Sequence, residues 1–186
     1  MHLSQMPKLL VSFEQGWDEL IRARPSMLRL FALLVLPMSI LPPAMIYYAG
    51  GSYGEIFLHG VSPRHWHIAA AIFFFAELLT VPAMAWIMHL ACRANDVRAG
   101  YRECYTLAAL APIPMWISSL VLFVPDLAVC VLGGGLGLLC SLAITYRGMY
   151  ALLRMHDDLR AMQMATVVTG AGLFAWLVLM QIVLTH

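Results

Sequence analysis

Charge is what this chain lacks. Only 11% of its 186 residues are Asp, Glu, Lys or Arg, against roughly 25% in an average soluble domain. So few charges cannot cover a water-facing surface, which argues against a soluble globular protein. Strand alternation is also missing. Polar residues do not return at every second position over ten-residue segments, as they would in a membrane β-barrel. Cysteine is scarce, and Cys92, Cys104, Cys130 and Cys140 show no C-x-x-C or related metal spacing. We read all four as small apolar packing residues. There is no Gly-rich phosphate loop, no nucleophile elbow and no H-E-x-x-H helix. No basic patch suggests nucleic acid. The protein is therefore expected to be non-enzymatic, with no catalytic residues, no cofactor, no metal and no nucleic-acid partner. A cleavable leader is not apparent either. The first 26 residues mix both charge signs, and the first apolar run is too long for a signal core. The first span is expected to stay.

What the chain has is apolar length. Apolar residues make up 62% of it and concentrate in five stretches: Met27–Ala49, Trp66–Ala91, Cys104–Val124, Leu127–Leu153 and Met162–Leu184. Each reaches the roughly 20 residues that a helix needs to cross about 30 Å of hydrocarbon. Lipid offers no hydrogen bonds to a backbone, so the spans must be helices. The expected fold is all-α: a polytopic bundle of five transmembrane helices over residues 27–186, preceded by a cytoplasmic segment, 1–26. No internal repeat, linker or second domain is visible.

The positive charges set an orientation. Ten of the eleven Lys and Arg fall in alternate gaps. Lys8, Arg22, Arg24 and Arg29 precede or open the first span, Arg93, Arg98 and Arg102 lie between the second and third, and Arg147, Arg154 and Arg160 flank the last connection. Arg64 alone lies on the other side. Basic residues of short loops stay in the cytoplasm. The N-terminus is thus expected inside and the C-terminus outside, in the periplasm if the membrane is a bacterial cytoplasmic one. Residues 8–22 place Leu9, Phe13, Trp17 and Leu20 at helical spacing, with Glu14, Asp18 and Glu19 opposite. This is read as a helix lying on the inner surface and feeding the first span.

Pro37, Pro42 and Pro43 in the first span are expected to kink it or end it early near its outer end. Gly50, Gly51, Gly54 and Gly60 then suggest a flexible outer loop from Gly50 to about His65. The second outer link, Val124-Pro125-Asp126, is so short that the third and fourth spans must form an antiparallel hairpin.

Glu77 is the one acid at mid-depth. A charge there costs about 2.5–3.5 kcal/mol, so the side chain should face the bundle interior as a neutral acid. One reading makes it a structural group bonded to a nearby Ser, Thr or freed carbonyl. The other makes it a proton or ion site, with Thr80 and Pro82 close by in sequence. Gly133, Gly137, Ser141 and Thr145 recur every four residues on the fourth span, a small-xxx-small stripe that lets helices approach closely. Ala161, Ala165 and Thr169 repeat the spacing on the fifth, so these two spans are expected to pack together. Glu55, His59, His65, His67 and His186 share the outer side, but H-x5-H-x-H matches no trusted metal motif. Most of the thirteen methionines lie in the apolar spans and read as space-filling residues there. Arg154, His156, Asp157, Asp158 and Arg160 make the last inner connection either a solvated loop or a docking surface.

One stretch carries a family resemblance. Ala111-Pro112-Ile113-Pro114 opens it, Pro125 follows eleven residues on, and Tyr146-Arg147-Gly148 closes the fourth span. This arrangement resembles the YIP family, the membrane proteins named for interacting with Ypt/Rab GTPases, and within it the bacterial inner-membrane branch. The resemblance covers residues 100–186 by motif and the first hundred by architecture. It marks Pro114, Pro125, Tyr146 and Gly148 as family positions. The family often has a proline just after Tyr-x-Gly. Here Met149-Tyr150 follows, so the fourth helix is expected to run on toward Met155. The resemblance implies a multispan scaffold or adaptor, with eukaryotic relatives acting in vesicle trafficking; this short chain lacks their long cytoplasmic N-terminal arm, and the GTPase-binding role is not carried over. The leading expectation is a scaffold or subunit of a membrane complex. Its partners would be the lipid bilayer and other membrane proteins or further copies of itself. A small proton-coupled transporter or channel using Glu77 is the alternative, and a lipid-handling protein with a groove opened by its prolines is a third.

Overall fold

The computed structural model describes residues 21–22, 24–57, 59–60, 62–153 and 158–185. The interfacial helix expected over 8–22 thus lies outside the described residues except for helical Ile21 and Arg22, as do residues 154–157 and His186.

The proline positions explain how the first span is built. Ser26 accepts a bond from the Arg29 amide and starts α1 (Met27–Leu30). A π-helical turn follows over Phe31–Val35, then α2 (Leu36–Met38). The chain breaks at Ser39 and Ile40 and resumes as α3 (Leu41–Phe57). Pro42 and Pro43 lack amide protons and their rings crowd the preceding turn, so the helix interrupts just ahead of them. Fully buried Ser39 donates back to Val35 O (2.7 Å) and Leu36 O (3.2 Å) at the break. The prolines thus break this span at its middle. They do not end it at its outer edge.

The expected outer loop is also corrected. α3 runs through Gly50 and Gly51, kinks at non-helical Tyr53 (φ −153°, ψ 31°), and resumes as helix through Gly54 to Phe57. A Cβ at Gly50 would lie 2.2 Å from Trp66 Cγ, and one at Gly54 would lie 2.5 Å from Trp66 Nε1. These glycines admit a tryptophan from the next helix. Gly60, at φ +75°, is the one that serves a turn.

The second span is α4 (Pro63–Ala94), whose 32 residues extend about 48 Å at 1.5 Å each. That exceeds the hydrocarbon thickness, so α4 must tilt or project beyond it. The third span is broken into α5 (Tyr101–Leu110), α6 (Ile113–Ser118) and a 3-10 turn, Ser119–Phe123. The interruption falls at Ala111-Pro112, ahead of a second proline at Pro114. After the Val124–Asp126 turn, the Asp126 carboxylate accepts from the amides of Ala128 (2.8 Å) and Val129 (3.1 Å), capping α7 (Leu127–Ala151). The helix passes Gly148 and stops at Ala151, short of Met155. The last span is α8 (Asp158–Thr185).

Five helical segments are thus long and apolar enough to cross a membrane: Met27–Ile56, Arg64–Ala94, Tyr101–Phe123, Leu127–Ala151 and Ala161–Leu179. All elements among the described residues are helical. α3 packs on α4, α4 on α5, and α6 with its 3-10 extension on α7. α8 lies against both α4 and α7. Met88, Leu107, Met149 and Met164 are fully buried where these elements meet. In lipid, this contact is held by close van der Waals packing and interhelical hydrogen bonds more than by exclusion of water.

Candidate functional site

Glu77 sits midway along α4, and its surroundings are the most chemically distinctive in the bundle. The Trp116 indole N–H of α6 donates to Glu77 Oε1 at 3.0 Å. Trp116 is 2% exposed. The second oxygen, Oε2, is buried and has no hydrogen-bond partner among the described residues. The break at Ala111-Pro112 directs this geometry, because it starts a new helix just before Trp116. The partner is thus an indole from another span, and neither a hydroxyl nor a freed carbonyl nearby in sequence. Thr80 turns its hydroxyl to Ala76 O (2.7 Å) on its own helix. Pro82 does not interrupt α4, and its carbonyl accepts from the Tyr101 hydroxyl at 3.3 Å.

The small-residue stripe faces the same broken span. A Cβ at Gly137 would fall 2.6 Å from Ser118 Oγ and 3.0 Å from Pro114 O. One at Gly133 would fall 2.5 Å from Val121. Ser141 donates to Ala111 O at 2.5 Å, so it bonds a carbonyl at the break itself. Thr145 bonds back to Ser141 O (2.9 Å). The stripe's partner is therefore the third span of this chain. The fifth span also contacts the fourth, as expected. Ala161 is fully buried, while Ala165 and Thr169 are half-buried.

The family-motif residues serve the same hairpin. Pro114 lies in the first turn of α6 and Pro125 in the tight outer turn. Gly148 is buried and its carbonyl accepts from Leu152 N (2.8 Å). Tyr146 is exposed, its hydroxyl 2.9 Å from that of Tyr150.

The outer histidines disperse. His67 stacks on Tyr47 (4.5 Å, 19°), His65 meets Trp66 edge-on, and Glu55 and His59 are exposed. Among the described residues, no three His, Cys, Asp or Glu side chains come together to hold a metal ion.

Three features were not read from the sequence. Trp116 is the first. Its signal was a tryptophan at mid-span, away from the interfacial belt where tryptophans collect. Arg102 is the second: its Nε and Nη2 donate to Pro25 O (3.1 and 3.0 Å), and Nη2 also donates to Arg24 O. This ties the start of the third span to the entry of the first. Third, Cys92 and Cys104 are fully buried free thiols on either side of the α4–α5 link.

The Yip1 domain matches residues 8–179. The chain belongs to the Yip1 family. The match spans nearly the whole sequence and so takes in the first hundred residues, where the motif resemblance alone did not reach. Comparison with curated proteins and with solved structures finds no match for it. A Yip1 domain with five apolar spans makes this a multi-pass integral membrane protein.

Proposed function

We propose that this Yip1 protein is a non-enzymatic scaffold or subunit of a membrane complex. One observation carries the reading. The apolar windows of the last two spans are only 11% and 17% buried, against 39%, 28% and 44% for the first three. α7 and α8 therefore present most of their surface outward. Gly134, Gly135 and Gly170 lie on that surface with nothing where a side chain would stand. Each costs helix stability relative to alanine, and the packing of this chain gives no return for it. A neighbouring helix that approaches closely would. In-cell crosslinking followed by mild-detergent purification and native mass spectrometry tests the proposal. A partner, or a second copy, at fixed stoichiometry supports it, and a lone monomer from crosslinked cells defeats it.

The orientation belongs to the same proposal: a bacterial cytoplasmic membrane, N-terminus inside, C-terminus in the periplasm. The placement of ten of eleven basic residues supports it. Reporter fusions at the two ends should fluoresce inside and show periplasmic phosphatase activity outside, respectively.

A second reading is favoured by the Glu77 carboxyl, with one oxygen on Trp116 and the other buried without a partner. It lies beside a broken helix, the type of place where transporters bind ions. On this reading the protein moves a small solute with protons. Liposome flux unchanged in rate and pH dependence by Glu77→Gln rules it out.

A further inference from the structure

The arginine-rich end of the bundle holds a pocket of about 200 Å³. Arg24, Pro25, Arg98, Arg102, Glu103 and Thr106 ring it, and the end of α7 closes it. Three separate parts of the chain build it: the entry to the first span, the α4–α5 link with the start of α5, and the last residues of the fourth span.

Among the described residues its charge is not neutralised. Arg102 is held by main-chain carbonyls of residues 24 and 25, which fix the guanidinium without cancelling its charge. Those contacts use Nε and Nη2, and Nη1 has no acceptor among the described residues. Arg24 adopts φ 38°, a left-handed conformation unusual for a side-chain-bearing residue. Its carbonyl is one of those that Arg102 grips. Arg24 and Arg98 are exposed, and neither is ion-paired among the described residues. The one carboxylate, Glu103, turns back onto Gly100 at the start of its own helix, its Oε2 2.5 Å from where a Cβ would stand. Three arginines against one glutamate leave two positive charges on the lining. Buried Leu152 and Leu153 supply an apolar wall.

Guanidinium groups present forked donors that match the oxygens of a phosphate. Basic pockets between transmembrane helices at the membrane surface suit anionic headgroups. We propose that this pocket binds a phosphate-ester anion, a chemistry shared by acidic phospholipid headgroups and soluble phosphates. The site does not depend on the scaffold reading. It requires only that these spans sit in a membrane.

The test uses the full chain in mild detergent, with native mass spectrometry during titration with phosphatidylglycerol or phosphatidylcholine. One phosphatidylglycerol should be retained at least tenfold more tightly than phosphatidylcholine. Arg24→Gln with Arg98→Gln should remove that preference, whereas Arg24→Lys with Arg98→Lys should keep part of it. Arg102 is left intact because it clamps the fold. An unchanged melting temperature in the Gln pair shows that the loss is local. If that pair does not fold, the headgroup preference of the unaltered protein and of Arg98→Gln alone decides the matter. Glycerol 1-phosphate and inorganic phosphate form the second arm. Binding of either with the same arginine dependence assigns the site to soluble phosphates. Phosphatidylglycerol that neither displaces at millimolar concentration assigns it to lipid. Equal retention of both lipids together with no phosphate binding overturns the proposal, as does retention that ignores the arginines.

Discussion

Gly137→Ala adds one methyl group at the closest approach of the fourth span to the third. The new Cβ would lie 2.7 Å from Ser118 Cβ, 2.6 Å from Ser118 Oγ and 3.0 Å from Pro114 O. Carbon atoms in optimal contact stand about 3.5–4.0 Å apart, so the helices must part by roughly 1 Å. Ser118 Cβ is fixed to its backbone and Pro114 O is backbone, so no side-chain rotation relieves the contact. The Ser141–Ala111 bond, one helical turn away, would be stretched by the same movement. Overpacking of this type costs about 1–3 kcal/mol, and the gain in helix propensity returns up to about 1 kcal/mol. A net loss of up to roughly 2 kcal/mol follows. Gly134→Ala and Gly135→Ala on the same helix meet open space and should be neutral or stabilising by up to about 1 kcal/mol. Titration with sodium dodecyl sulfate in mixed micelles, followed by far-ultraviolet circular dichroism, measures all three. If Gly137→Ala is as stable as Gly134→Ala, the close packing described for this hairpin is wrong.

Other consequences are equally direct. Glu77→Gln keeps an acceptor for Trp116 and should leave stability nearly unchanged, whereas Glu77→Leu strands a buried indole N–H and should cost about 1–3 kcal/mol. A double-mutant cycle with Trp116→Phe in the same unfolding assay checks this through a coupling energy near the single loss. Arg102→Lys cannot reproduce the forked grip on the carbonyls of residues 24 and 25; exchange of the Arg29 and Leu30 amides, which bond to Ser26, should quicken while that of α7 stays unchanged. Gly54→Ala drives a methyl into the Trp66 ring and should destabilise by about 1–3 kcal/mol, with altered tryptophan emission. Gly51→Ala, in open space, should do neither.

Much of this architecture was legible in the sequence, for physical reasons. A bilayer demands long apolar helices, so the five spans showed themselves by hydropathy. Pro42 and Pro43 announced an interruption because a missing amide proton acts locally. Glycine was harder to read. A glycine that admits Trp66 looks the same in sequence as one that loosens a loop, and Gly50 and Gly54 were assigned to a loop for that reason. What distinguishes the two is a side chain more than ten residues away. The stripe on the fourth span was visible, but its partner was not. Ala161 and Ala165 offered a plausible match, yet the three-residue turn before Leu127 already placed the third span beside the fourth. Trp116 lies 39 residues from Glu77, and no local pattern joins them.

On the scaffold reading, the outward faces of the fourth and fifth spans meet another membrane protein. A photocrosslinking amino acid placed in living cells at Leu136 and at Phe174, which are 64% and 70% exposed, tests it most directly. Phe75, 64% exposed on the second span, is the comparison site. One discrete protein adduct of constant mass is expected from Leu136 or Phe174, matching the species seen by native mass spectrometry, and none from Phe75. Lipid adducts alone at all three positions would contradict it.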